Sequence, residues 1–263
     1  MRPPAWLWVP AAGAVLVVVV PLLGLLTSVD VGSLWPLLTS QASVTALLLS
    51  LRTAVIATAL CLVLGAPLAV LLARGQWWGQ SVLRALVLVP LVLPPVVGGL
   101  ALLTTFGRRG LLGEHLVAAG ISISYTTTAV VLAQTFVALP FLVLSLEGAV
   151  RGLDRRHEEA AATLGAGPWR RLTRVTLPLV GPGLVSGSVL AFARALGEFG
   201  ATAFLAQPES PTLPVLIYQL LGRPGAGNFG AAMAASVLLA TVTALVMAAV
   251  ERIGGSAAGR MDG

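Results

Sequence analysis

The sequence predicts an all-α polytopic membrane protein with about six transmembrane helices, and three observations predict it. Of 263 residues, 57% are hydrophobic and 10% charged, whereas soluble domains carry roughly a quarter charged residues. Apolar runs recur at bilayer length, a hydrocarbon core about 30 Å thick taking roughly 20 residues of helix. The remaining charges sit mostly in short segments between those runs, where membrane topology places them.

The candidate spans, in order, are Trp6–Leu26, Val44–Ala73, Leu83–Thr105, Thr126–Leu146, Leu179–Leu205 and Phe229–Val250. The first follows a lone Arg2 as a secretory leader would, but its apolar stretch exceeds the 7–15 residues or so of a leader core, so it reads as an uncleaved span. The second is longer than a straight crossing requires and carries Arg52 near its outer end, where the side chain snorkels to the interface or lines a vestibule. The third contains Pro90, Pro94 and Pro95, which interrupt backbone hydrogen bonding and make either a hinge or a static bend. The segments Thr27–Ala42, Phe106–Tyr125 and Gln207–Asn228 are rich in turn residues and read as turns or re-entrant caps at the outer mouth. Residues 1–42 thus hold the first span and an external loop, 43–250 the main transmembrane domain with a cytoplasmic loop at 151–178, and 251–263 a short cytoplasmic tail.

Orientation follows from the arginines, which account for all 16 basic residues. With both termini cytoplasmic, the inner side collects Arg2, Arg74, Arg84, Arg151, Arg155, Arg156, Arg170, Arg171, Arg174, Arg252 and Arg260, leaving Arg108, Arg109 and Arg223 outside. Clustering in short loops argues against a nucleic-acid surface. The absence of lysine excludes a P-loop and Schiff-base chemistry. Cys61 is alone in an apolar run and reads as a packing residue, with no disulfide framework or thiolate metal cluster available. The two histidines, His115 and His157, fall on opposite sides of the membrane, and neither G-x-S-x-G nor H-E-x-x-H occurs. No catalytic residue and no metal site is therefore expected. A stand-alone secondary transporter or channel is the rival class, its ionisable candidates within the membrane being Glu147, Arg194 and Glu198.

The loop Arg151–Pro178 is the extended polar segment, EEAAATLGAGPWRRLTRVTLP at its centre. Asp154 can cap a short helix presenting Ala160, Ala161 and Ala162; Gly165 and Gly167 break it; Pro168 opens a second helix that leads through Leu177-Pro178 into the membrane. Two short helices on a glycine turn make a knob whose alanines admit a close partner surface, with Glu159 and nearby arginines at the rim.

Glu159-Ala160-Ala161, three residues, Gly165, nine residues, then Val175-Thr176-Leu177-Pro178 resembles the EAA loop of type I ABC importer permeases, with Val175 where Ile is usual. The runs VLVPLVLPPVVGGLALL (87–103), FGRRGLLG (106–113) and LAFARALGEFGAT (190–202) are similar to the molybdate/tungstate permease subfamily, with sulfate permeases as relatives. After Ala206 the chain keeps a TLP-x-x-IY core of that subfamily, while its tail also resembles thiamine and iron permeases. The resemblance implies the type I ABC importer (MetI-like) permease fold in a bacterial cell membrane. It implies a homodimer with the path on its twofold axis, two ATPase subunits that bind ATP and magnesium, and an extracytoplasmic substrate-binding protein. The permease itself holds no cofactor. The implied cargo is molybdate or tungstate, with sulfate, thiamine or ferric iron as alternatives.

Inside the membrane, Arg194 and Glu198 read as a pair on one helical face, either holding the bundle or serving substrate or coupling. The fifth span is dense in small residues, which suits close helix packing and is compatible with a pathway. Ser186, Ser188 and Thr202, with Thr104 and Thr105 on the third span, are the candidate hydroxyl donors to a passing oxyanion.

Overall fold

A computed structural model describes residues 4–29 and 31–258. Arg2 and Arg260, counted in the orientation argument, lie outside the described residues. Those described are helical throughout. Four helices are long and apolar enough to cross a membrane, and six crossings result if each of two sharply bent pairs is one span.

A turn of 3₁₀ helix at Ala5–Leu7 runs into α1 (Trp8–Thr27), followed by α2 (Val31–Leu38) and α3 (Gln41–Arg74). Ser40 starts α3 by accepting the amide hydrogen bond of Ser43, as a polar N-cap should. At about 1.5 Å per residue its 34 residues span about 51 Å, so α3 reaches well beyond the bilayer core. Next come α4 (Gln80–Val92), α5 (Pro95–Phe106), α6 (Gly113–Ala118) and α7 (Thr127–Gly152), the last capped by Thr126.

The third predicted span is where the sequence reading departs most from the structure. Instead of a kinked rod, α4 and α5 meet at 113°. Leu93 and Pro94 are both extended, with ψ of 135°, because each precedes a proline, which disfavours the helical conformation there.

The hairpin that the sequence placed in the cytoplasm follows: α8 (Arg156–Thr163), α9 (Pro168–Arg171), a π-helical turn (Leu172–Thr176) and α10 (Leu177–Leu179). A 72° bend then leads into α11 (Gly181–Leu196). The fifth span was expected to run to Leu205, but it ends at Leu196, before the glycines at 197 and 200, poor helix formers. A 3₁₀ turn (Thr202–Phe204), α12 (Leu213–Leu221) and α13 (Ala226–Ala258) complete the described chain. The last helix passes the predicted end at Val250.

The core is a three-helix contact of α3, α7 and α11, built from small side chains: Ala54, Ala57 and Cys61 meet Ala138 and Leu142, with Ala191 and Ala195 from α11. A Cβ placed on Gly187 would sit 3.1 Å from that of Ser145 on α7. The small-residue face of the fifth span is thus a packing face, letting two backbones approach closely. The helix α7 is the axis of the fold, with 67% of its membrane-length window buried, against none for α1.

Candidate functional site: a polar hairpin tied to the span bundle

Within the hairpin each predicted device has its place. The Asp154 carboxylate accepts the amide of Arg156 at 2.9 Å, at the start of α8. Gly165 has φ of +79°, a left-handed conformation that glycine adopts without cost. Pro168 occupies the first turn of α9, and Leu177 and Pro178 form α10 at the entrance to the membrane. Glu159 and Ala160 are exposed and Ala161 half-buried. At the tip Leu164 and Trp169 are 88% and 75% exposed, leaving an apolar surface beside the charged rim.

The base of the hairpin is held by a polar network that sequence reasoning did not assemble. Arg74, the last residue of α3, lies 3.2 Å from the carboxylate of Glu158 and donates to the Leu153 carbonyl at 3.2 Å. The Thr176 hydroxyl donates to the same Glu158 oxygen at 2.9 Å. One turn deeper, Glu147 of α7 is paired by Arg84 of α4 and, at 2.9 Å, by Arg151. The Leu72 carbonyl, unsatisfied within the last turn of α3, accepts from Gln80 at 2.7 Å, Arg84 at 3.2 Å and Arg151 at 3.3 Å. Three arginines that the charge asymmetry counted as topology signals thus also join α3, α4, α7 and the hairpin. The available signal was their spacing from the ends of apolar runs.

Within the membrane-length segments, Arg194 and Glu198 do meet, at 2.6 Å, with Glu198 only 1% exposed. They are not on one helical face, since α11 ends between them; the chain turns at Gly197 to bring the carboxylate back. The contact is close, yet misaligned for a hydrogen bond, so the two charges meet as an ion pair. The other Glu198 oxygen accepts the Ala201 amide at 2.6 Å. Arg194 also lines a cavity of about 120 Å³ at the α4–α5 break, together with Pro90, Pro94, Pro95, Phe136 and Phe141. The structure therefore brings the proline group and the charged pair to one place.

The candidate hydroxyl donors are dispersed. Thr104 and Thr105 both donate to the Ala101 carbonyl, and Ser188 to that of Leu184. Thr202 is fully buried and donates to the Glu198 and Phe199 carbonyls, so its hydroxyl serves the turn after α11. Ser186 is exposed. Arg52 is exposed and free of partners among the described residues. Sequence reasoning passed over Gln134 of α7, which is completely enclosed with neither amide atom hydrogen-bonded.

At the opposite end of α3, Gln41 and Thr45 line a cleft with Glu209, Gln219 and Arg223. The Ser50 hydroxyl accepts the Leu213 amide at 2.7 Å and fixes the start of α12 there.

Comparison with known proteins agrees with this architecture. Solved structures of similar shape include an inward-facing MetNI methionine ABC transporter, with a TM-score of 0.65 and 23% identity over 83% of this chain and 99% of that one. A bacterial alginate ABC transporter gives 0.68 and 18% over 94% and 93%. At such identities the likeness shows the fold. Among curated sequences, the molybdenum transport system permease protein ModB of Mycobacterium bovis is 53% identical over 94% of this chain and 93% of its own length. The protein of the same name from Escherichia coli K12 is 42% identical, over 82% and 96%. The sulfate transport system permease protein CysT of E. coli K12 is 36% identical, over 78% and 75%. Residues 62–254 match the family of binding-protein-dependent transport system inner membrane components, and the chain belongs to it.

Proposed function

We propose that this chain is the membrane-spanning permease subunit of an ATP-driven importer of molybdate or tungstate. The observation that carries the cargo is identity of 53% to a molybdenum permease across 94% of the chain, well above the 36% to a sulfate permease. Residues 43–250 form the transporting domain and work as a homodimer, with the path between two copies and both termini in the cytoplasm. The arginine-bearing ends of α3, α4 and α7 gather at one end of the bundle with the hairpin, the charge distribution expected of a cytoplasmic face.

The hairpin 151–178 receives an ATPase subunit, one per permease copy. Its exposed apolar tip, Leu164 and Trp169, and the free carboxylate of Glu159 suit a docked partner, in which aromatic anchors lie inside a charged rim. ATP and magnesium reside in that partner. A substrate-binding protein delivers the oxyanion to the opposite face, near the Gln41–Arg223 cleft. Closure of the ATPase pair moves the hairpins together, and rigid-body rocking of the spans opens the outer mouth.

The test is uptake by proteoliposomes holding permease, ATPase and binding protein. Molybdate uptake that requires ATP supports the assignment. Uptake of sulfate, thiamine or ferric iron in its place overturns the cargo, and uptake by the permease without nucleotide overturns the class. Glu159→Lys is expected to abolish capture of the ATPase while leaving membrane insertion intact.

A further inference from the structure

The two neighbouring glutamates of α8 face different ways. Glu159 is exposed, whereas Glu158 turns inward, 3.2 Å from Arg74 at the end of α3 and hydrogen-bonded by Thr176 at 2.9 Å. One carboxylate oxygen thus joins the first helix of the hairpin, the π-helical turn that ends it, and the longest span. Arg74 adds a bond to the Leu153 carbonyl at the hairpin's entrance.

We infer that Glu158 and Arg74 are the joint through which the hairpin moves α3, with Thr176 as the positioning residue that keeps the carboxylate aimed. This rests on reading the hairpin as the ATPase-receiving element. Three features support it. The helix α8 packs mainly against α9 and the π-helical turn of its own hairpin rather than against a span. The links that lead out of the hairpin are compliant: Gly152 and the extended Leu153 on one side, the 72° bend before α11 on the other. Between hairpin and α3 lies a cleft of about 290 Å³, lined from α3 by Val70 and Arg74 and from the hairpin by Glu158, Pro168, Arg171, Leu172 and Thr176. Leu153 packs beside α3 at the hairpin's entrance, while α8 itself is joined to α3 by the polar contact that spans this space. The side chains are 18% and 21% exposed, so the test uses replacements that keep hydrogen-bonding atoms at both positions; these are expected to leave the fold in place and remove the transmission.

The experiment uses the assembled importer in proteoliposomes, with molybdate as cargo. It reads ATPase capture, basal ATP hydrolysis, stimulation of that hydrolysis by loaded binding protein, and ATP consumed per molybdate moved. Glu158→Gln and Arg74→Gln are expected to keep ATPase capture and basal hydrolysis. Uptake falls about 10-fold and the stimulation disappears, a loss of coupling of the size usual between linked sites. The charge exchange, Glu158→Arg with Arg74→Glu, restores uptake to within about threefold of the unaltered chain. A purely structural pair would lower the amount of complex without changing ATP consumed per molybdate. Unchanged coupling in the single variants overturns the joint. So does loss of ATPase capture, which would make Glu158 a docking contact like Glu159, and so does an exchange that restores nothing. Failure of the unaltered chain to capture the ATPase would instead remove the functional reading beneath it.

Discussion

At the end of α11, Arg194 and Glu198 find each other across one turn of chain. At the hairpin end of the bundle, Arg74, Arg84 and Arg151 reach across three helices and a hairpin. The first pair is local, 2.6 Å apart with Glu198 1% and Arg194 26% exposed; it ties no two spans directly and fixes one turn. The second set is shared: Glu147, 7% exposed, is met by two arginines, and one carbonyl, that of Leu72, serves three donors from three places in the sequence. A buried carboxylate with one cationic partner is expensive to leave alone, while sharing lets one contact be lost and others remain. The difference between the two systems is therefore one of redundancy: a single pair fixes a turn, and a network joins helices.

The comparison can be broken most sharply at Glu198. Glu198→Ala leaves the half-buried Arg194 without its partner and the Ala201 amide without its acceptor, and is expected to lower stability by about 2–3 kcal/mol, read as the melting temperature of the detergent-purified protein. If that variant melts with the unaltered chain, the distinction between the two ion-pair systems fails. Glu147→Gln is expected to cost less, about 1–2 kcal/mol, because Arg84 and Arg151 keep the Leu72 carbonyl. Gly165→Val forces a branched residue to φ of +79°, a strain of about 1–2 kcal/mol. Open space around Gly165 confines the damage to the hairpin, so the loss appears in ATPase capture more than in melting. Gln134→Met is expected to raise stability by about 1 kcal/mol, since it removes two enclosed polar atoms without partners at near-constant volume; a fall in melting temperature would count against an unpaired amide at this position. Arg52→Gln, on a side chain without partners, should shift melting by less than about 0.5 kcal/mol.

The sequence reading was strongest where periodicity and turn chemistry act locally. The end of α3, the start of α7, the role of Asp154 at the start of α8 and the Gly165 and Pro168 breaks were legible, because each depends on a few adjacent residues; the end of α7 was not, the helix running six residues past Leu146 to Gly152. It failed where a decision rests on several weak signals at once. Consecutive prolines gave a kink in principle, but an angle of 113° depends on two successive extended residues and on what packs beneath them. Glycines after Leu196 were read as packing residues and in fact also end the helix, so the Arg194–Glu198 spacing reached the right contact through the wrong geometry. The choice between Glu158 and Glu159 was invisible from spacing, since neighbouring residues on a short helix differ in facing by about 100°, and only Arg74 at the far end of another helix decides which turns inward.

Cys61 is the sole thiol of the chain and is fully enclosed between α3 and α7, which makes the native sequence a ready background for site-directed spectroscopy. A reporter attached to a cysteine introduced at Trp78, strongly exposed between α3 and α4, would label one site without first removing the natural one. In the proposed homodimer, distances between the two copies of such a reporter would follow the ends of α3 through a cycle of nucleotide binding and release.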